Sequence, residues 1–215
     1  MDLPMLPRPR NLLHRLRLPS ISLVICVICF IATKLSDEWI LRLAATSGDL
    51  HLNRIFPLLC RLITYQFMHG GIGHFRGNFL VGLAPMIYLE NKLGKLKFLA
   101  FYLLSGLFGG LAFLLIVGHT PFAHAFESLG VHLTLVGASG SIFGVFLYSL
   151  YLYSKESIYN ALIAYIAIEC VILPQVVDAI NSLQMPVEVA YWGHVGSMLA
   201  AIPLMFLLKP CKKKQ

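Results

Sequence analysis

Charge is what this sequence has least of. Asp, Glu, Lys and Arg make up 13% of its 215 residues, about half the share usual in soluble domains, and residues 128–154 contain none of them. With 58% hydrophobic residues and a mean hydropathy of +0.76, too little polar surface remains to face water, which excludes an ordinary soluble domain. Cysteine is too sparse for a disulfide or metal framework. Cys26 and Cys29 form a CxxC, but it lies in an apolar run with no second pair and reads as helix packing. No metal site and no cofactor is expected. No Ala-x-Ala-like site follows that run, whose exit reads Ala32-Thr33-Lys34, so it is an uncleaved anchor and not a removed signal peptide.

The apolar residues fall into runs that suit a bilayer core about 30 Å thick. Six are candidates: 20–33, 77–89 extended upstream through His74, 98–117, 139–154, 157–173 and 189–208. The fold class expected is therefore an all-α membrane protein, a six-transmembrane-helix bundle over residues 20–208. A basic tail precedes it at 1–19 and another follows at 209–215. Between the first two runs, residues 35–73 mix charges with Trp39, Leu41, Ile55 and Phe56, a pattern of short amphipathic helices at the membrane interface. Residues 88–94 read as a tight connection and residues 174–188 as an outer loop.

The formal net charge of +7 sits at the ends of these runs. Arg8, Arg10, Arg15 and Arg17 precede the first, Lys92, Lys95 and Lys97 separate the second from the third, Lys155 follows the fourth, and Lys209 and Lys212 to Lys214 follow the last. With six spans, twelve of the seventeen Lys and Arg residues fall on one side, which makes both termini cytosolic. Residues 118–136 and 174–188, on the other side, have no Lys or Arg. The basic balance thus points to lipid headgroups and not to nucleic acid. Compact size and short tails fit a bacterial inner membrane, and oligomeric state is not encoded in these features.

A few polar residues interrupt the apolar runs. Ser139 stands in Gly137-Ala138-Ser139-Gly140 at the start of the fourth, where glycine-rich backbone becomes an apolar helix. His74 and Asn78, four apart and so on one helix face, open the second. His194 opens the sixth between Gly193 and Gly196, and Gly140 and Gly144 repeat the same small-residue spacing around the serine, so these two helices are expected to meet. Glu169, near the outer end of the fifth, reads as interfacial or bonded to a neighbouring helix. His119, His124 and His132 are too scattered to form a ligand set. With both termini in the cytosol the second, fourth and sixth runs all enter from outside, placing His74, Asn78, Ser139 and His194 at similar depth. Unrelated polar residues would not share a plane.

Such groups suit acyl transfer. Neutral imidazole takes the proton of a serine hydroxyl and returns it to a leaving amine, the serine attacks a carbonyl, and preset donors hold the oxyanion. No carboxylate is placed to orient His194, so a dyad is expected. The combination His69-x4-His74-x3-Asn78, Gly137-Ala138-Ser139-Gly140 and Gly193-His194 with Gly196 strongly resembles the rhomboid intramembrane serine proteases, across about residues 20–208 and including the turn Glu90 to Gly94. The resemblance implies catalysis by Ser139 and His194, an oxyanion hole that includes His74 and Asn78, and structural support from His69, Gly137 and Gly140. It also implies transmembrane-protein substrates cut near the outer boundary, entering past the fifth span and its loop, with residues 174–188 a mobile cap. Two departures stand out. Cys60-Arg61 replaces the Trp-Arg pair of many relatives, and Phe143 replaces a frequent Tyr, leaving a ring to pack on His194 but no phenol. A non-catalytic protein of the same fold that binds or escorts client helices stays open, as does a small transporter relaying protons through Glu169.

Overall fold

The computed structural model describes residues 20–50, 55–183 and 189–210, with backbone alone at 49 and 50. The tail at 1–19, part of the loop expected at 174–188, and Cys211 to Gln215 lie outside the described residues. In chain order the elements are α1 (Ile21–Ala32), α2 (Asp37–Leu43), strand β1 (Ala45–Thr46), α3 (Ile55–Thr64), α4 (Ile72–Leu93), α5 (Lys95–Val117), α6 (Pro121–Ser128), strand β2 (Thr134–Leu135), α7 (Ser139–Ser154), α8 (Ile158–Ala167), α9 (Leu173–Asn181) and α10 (Tyr191–Leu207). The amphipathic helices expected between the first two apolar runs are α2 and α3.

Two sequence expectations need correction, at residues 88–94 and at the end of the fifth apolar run, and two features come in addition. The helical fold includes a short sheet: β1 and β2 pair antiparallel, Ala45 opposite Leu135 and Thr46 opposite Thr134. This stub ties the long first connection to the segment entering α7, and Ser47 N–H extends it by donating to Leu133 O at 3.0 Å. Backbone groups in two connections that run side by side need partners, and each supplies the other's.

Residues 88–94 are not a loop. α4 continues to Leu93, and Gly94 alone, at φ 80°, separates it from α5. Leu89, Glu90 and Leu93 are all buried there, and the Glu90 carboxylate explains the helix. It accepts hydrogen bonds from Ile21 N–H at 2.9 Å, Ser22 N–H at 3.0 Å, Ser22 Oγ at 2.7 Å and Ser20 Oγ. An anion at the start of α1 satisfies N–H groups that have no partner within the helix.

The fifth apolar run does not stop at Leu173. α8 passes through a π-helical turn, Ile168–Ile172, directly into α9, which carries Pro174 in its first turn. Proline has no N–H and its ring clashes with the carbonyl four residues back. A wide turn ahead of it relieves that conflict, so the helix survives to Asn181. Glu169, within the wide turn, is exposed and, among the described residues, pairs with Tyr165 of its own helix.

α7 and α10 meet as expected, and the small residues around His194 also pack closely on α5, which the sequence pattern does not specify. A Cβ at Gly109 would lie 2.5 Å from Gly193 O and 3.0 Å from Ser197 Cβ. Gly144 of α7 joins them, its Cβ position 2.8 Å from Ser105 Cβ of α5 and 3.1 Å from Ser197 O of α10. Three helices thus meet nearly backbone to backbone, an arrangement only small side chains allow. Inward of this seam lies a core of Met86, Leu89, Phe98, Phe101, Tyr102, Val145 and Tyr148.

Candidate active site

The site is framed by a short buried segment, Tyr65–Phe67, wedged between α5 and α7. Tyr65 OH donates to Gly106 O at 2.6 Å, and Tyr65 O accepts from Gly137 N–H at 3.0 Å. The Gln66 side chain donates to Leu62 O at 2.7 Å and accepts from Ser141 Oγ at 2.8 Å. Fully buried and fully bonded, Gln66 fixes the start of α7 without an unsatisfied polar atom. Nothing in the sequence pattern marks it, since a buried amide and an exposed one read alike.

Gly137 then turns the chain into α7 at φ 126°, which an L side chain rarely adopts. A Cβ there would also come within 2.8 Å of His74 Cε1 and Nε2 and 3.5 Å of Asn78 Nδ2. Gly137, His74 and Asn78 are therefore mutual neighbours. His69 Nδ1–H donates to Phe67 O at 3.4 Å, and Asn78 Nδ2 donates to His69 Nε2 at 2.9 Å. Burial, then the nearby His74, pushes His69 down to about 4, only partly offset by its backbone bond. A neutral ring is what this bonding needs, because His69 Nε2 accepts. Asn78 Nδ2 spends one hydrogen on His69 and keeps a second.

Ser139 is the first residue of α7 and His194 the fourth of α10. His194 Nε2 lies 2.8 Å from Ser139 Oγ. The Phe143 ring stacks on the imidazole, centroids 4.3 Å apart and planes 25° from parallel, and Tyr191 meets it edge-on at 6.2 Å. The other imidazole nitrogen, Nδ1, is 2.6 Å from Oε1 of Gln175 on α9. The sequence pattern does not mark this partner: residue 175 falls in the expected outer loop, and only the helix continuing past Pro174 carries it to His194.

Ser139, His194, His74, Asn78 and Gln175 all line one cavity of about 630 Å³, closed on other sides by Thr134 to Val136 and Val189 to Tyr191. Of the residues singled out in the sequence, Ser139, His194, His74 and Asn78 share this space, and His69 and Gly137 border it through Asn78 and His74. Gly140 backs it, its Cβ position 3.0 Å from Tyr65 OH. Cys60 and Glu169 are exposed elsewhere. A hydroxyl hydrogen-bonded to an imidazole, beside an amide with a spare N–H and the first turn of a helix, is equipped to attack a carbonyl and hold the resulting oxyanion.

No curated protein matches the chain. A family model described as the Rhomboid domain matches residues 58–211, a stretch that includes the serine, both histidines lining the cavity, Asn78 and Gln175. The match covers well over half of the sequence, and the chain belongs to the rhomboid family.

Proposed function

We propose that this integral membrane protein is a serine endopeptidase that cleaves transmembrane-protein substrates within the bilayer near its outer boundary. Its family is one of intramembrane proteases, with non-catalytic members. The observation that carries the proteolytic reading is the 2.8 Å contact between Ser139 Oγ and His194 Nε2 inside an open cavity that His74, Asn78 and Gln175 also line.

As Oγ bonds to the scissile carbonyl carbon, Nε2 takes the hydroxyl proton. The negative oxygen is held by the Ser139 N–H, the spare Asn78 N–H and His74, which matter more where little water competes. Collapse of this intermediate breaks the C–N bond, and the proton on Nε2 goes to the leaving amine. Water then attacks the acyl-enzyme, Nε2 takes its proton, and Ser139 is restored as the acid product leaves.

The membrane arrangement follows from helix lengths and charges. α1, α4, α5, α7, the continuous helix 158–181 and α10 serve as six spans, with both termini in the cytosol and lipid on the exposed apolar faces. α7 has 16 residues and is roughly 24 Å long at 1.5 Å per residue, against about 30 Å of hydrocarbon. With Lys155 at the inner face, its first residue lies below the outer surface. Ser139 is thereby recessed in the membrane.

Purified protein, reconstituted with a single-span substrate, should cleave it, and Ser139→Ala should abolish cleavage while folding is retained. A fluorophosphonate should label the wild type and not the variant. Equal cleavage by both forms would rule out the serine mechanism. Absence of labelling and cleavage across several substrates would identify a non-catalytic member that binds client helices.

A further inference from the structure

A neutral imidazole carries one N–H, and which nitrogen bears it decides whether His194 can act on Ser139. With the proton on Nε2 the ring would present a donor to the hydroxyl and could not take its proton. The contact to Ser139 leaves this open, because a hydroxyl both donates and accepts. The other contact does not. Gln175 Oε1 accepts only, and at 2.6 Å from Nδ1 it calls for the proton on Nδ1, freeing the Nε2 lone pair for Ser139. An amide does this without placing a second charge in a site of low polarity, where an uncompensated carboxylate is costly.

The helix geometry explains why residue 175 reaches the site. The turn Ile168–Ile172 is π-helical and directly precedes α9. One extra residue in a turn rotates everything beyond it by about 100°. Among described residues α9 meets α10 through a small patch, Ala179 against Val195 and Met198, with Val176 and Ile172 beside it. Among the described residues, Gln175 makes the polar side-chain contact between these helices at the site.

We propose that Gln175 is a positioning residue that holds His194 in its Nδ1–H form, turned toward Ser139, so that the readiness of the base depends on where α9 lies. The catalytic consequence rests on the proteolytic reading above, whereas the bond to Nδ1 is measurable without turnover.

Three forms decide it: wild type, Gln175→Leu, which keeps the volume and removes the acceptor, and Gln175→Glu, which keeps an acceptor. The readouts are the fluorophosphonate labelling rate of Ser139, kcat and KM on a reconstituted single-span substrate, thermal stability, and the ¹⁵N shifts of the His194 ring. Gln175→Leu should slow labelling and lower kcat about 10- to 100-fold, as loss of one orienting hydrogen bond predicts, with KM and melting temperature little changed. Gln175→Glu should recover most of the loss, and the ring should be Nδ1–H in the wild type and a tautomer mixture in Gln175→Leu. Labelling of Gln175→Leu at the wild-type rate, equal impairment of both variants, or an Nε2–H ring in the wild type would each overturn the proposal. If the wild type is never labelled yet the tautomer shifts as stated, the proteolytic reading falls and the role of Gln175 at Nδ1 stands.

Discussion

Two helices of this protein are near twins by composition and opposites by position. α5 has 23 residues and helix 158–181 has 24, and an 18-residue stretch within each has a mean hydropathy of 2.2 and 1.9, yet 44% of that stretch is buried in the first and 17% in the second. Apolar side chains gain little by leaving lipid for other apolar side chains, so hydropathy alone does not draw a helix into a bundle. The difference lies in small residues. α5 places Ser105, Gly106, Gly109 and Gly110 on its buried face, whereas helix 158–181 has no glycine and buries only Ala164 and Ala179. One is a wall and the other a panel held at a few points. The site lies between them: α5 backs α7 and α10, which carry Ser139 and His194, while the panel contributes Gln175.

The largest effect should come from thickening the wall. Gly109→Val adds a Cβ about 2.5 Å from the Gly193 carbonyl oxygen, a backbone atom that cannot swing aside. Overpacking of this kind costs up to about 3 kcal/mol, occasionally more, enough to lower the melting temperature in detergent sharply or prevent folding. Leu162→Ala on the panel, where the side chain is 58% exposed, should change stability by no more than about 0.5 kcal/mol. Similar losses in both variants would show that small residues do not set the contrast.

Next in size is the oxyanion side of the cavity, built on the rigid half. Under the proposed mechanism Asn78→Ala removes a donor that matters when charge develops, so kcat should fall about 10²- to 10³-fold with KM nearly constant. His69→Ala leaves the amide in place but unheld, and its loss should be smaller and in the same direction. A change confined to KM would remove Asn78 from that role.

The His69 bonding also predicts a pH dependence of stability. Its pKa is pushed down to about 4 in the fold, against about 6.5 when unfolded. Between those values the unfolded chain binds the extra proton, so the stabilisation is fully present above about pH 6.5 and is lost progressively as pH falls toward 4. Thermal unfolding across that range should show a slope that His69→Gln flattens. An unchanged slope would mean that His69 titrates normally.

What the sequence reveals follows the same division. Ser139, His74, Asn78 and His194 were legible because polar residues in apolar runs are costly and stand out, and their depths could be compared through the charge pattern. The meeting of α7 with α10 is legible in Gly140, Gly144, Gly193 and Gly196, but the close seam of α5 with α10 is not, since those glycines state that something approaches but not how many helices do. Glu90 was read as part of a turn because its four donors come from Ser20, Ile21 and Ser22, distant in the chain. Gln175 was hidden behind Pro174, which normally argues for a helix end. The wide turn that lets the helix pass has no sequence signature of its own.

The smallest effect tests how the panel is held at the end away from the cavity. Glu156 accepts from Tyr88 OH at 2.7 Å and Lys92 Nζ at 2.6 Å, and from Asn160 Nδ2 at 3.3 Å. It thus links the last turns of α4 to the first turn of α8. The ion pair is over a third exposed at both partners, so screening limits it to roughly 0–1 kcal/mol, and Glu156→Ala should lower the melting temperature only slightly. Freeing the foot of the panel should instead change how often it moves. Cleavage of a single-span substrate, which the family resemblance implies enters past this helix, should rise about twofold, a shift of less than 1 kcal/mol. Labelling by a small fluorophosphonate, which reaches the open cavity directly, should stay constant. If both rates changed together, the Glu156 contacts would be acting on the site itself, and the panel would be as firmly built in as the wall.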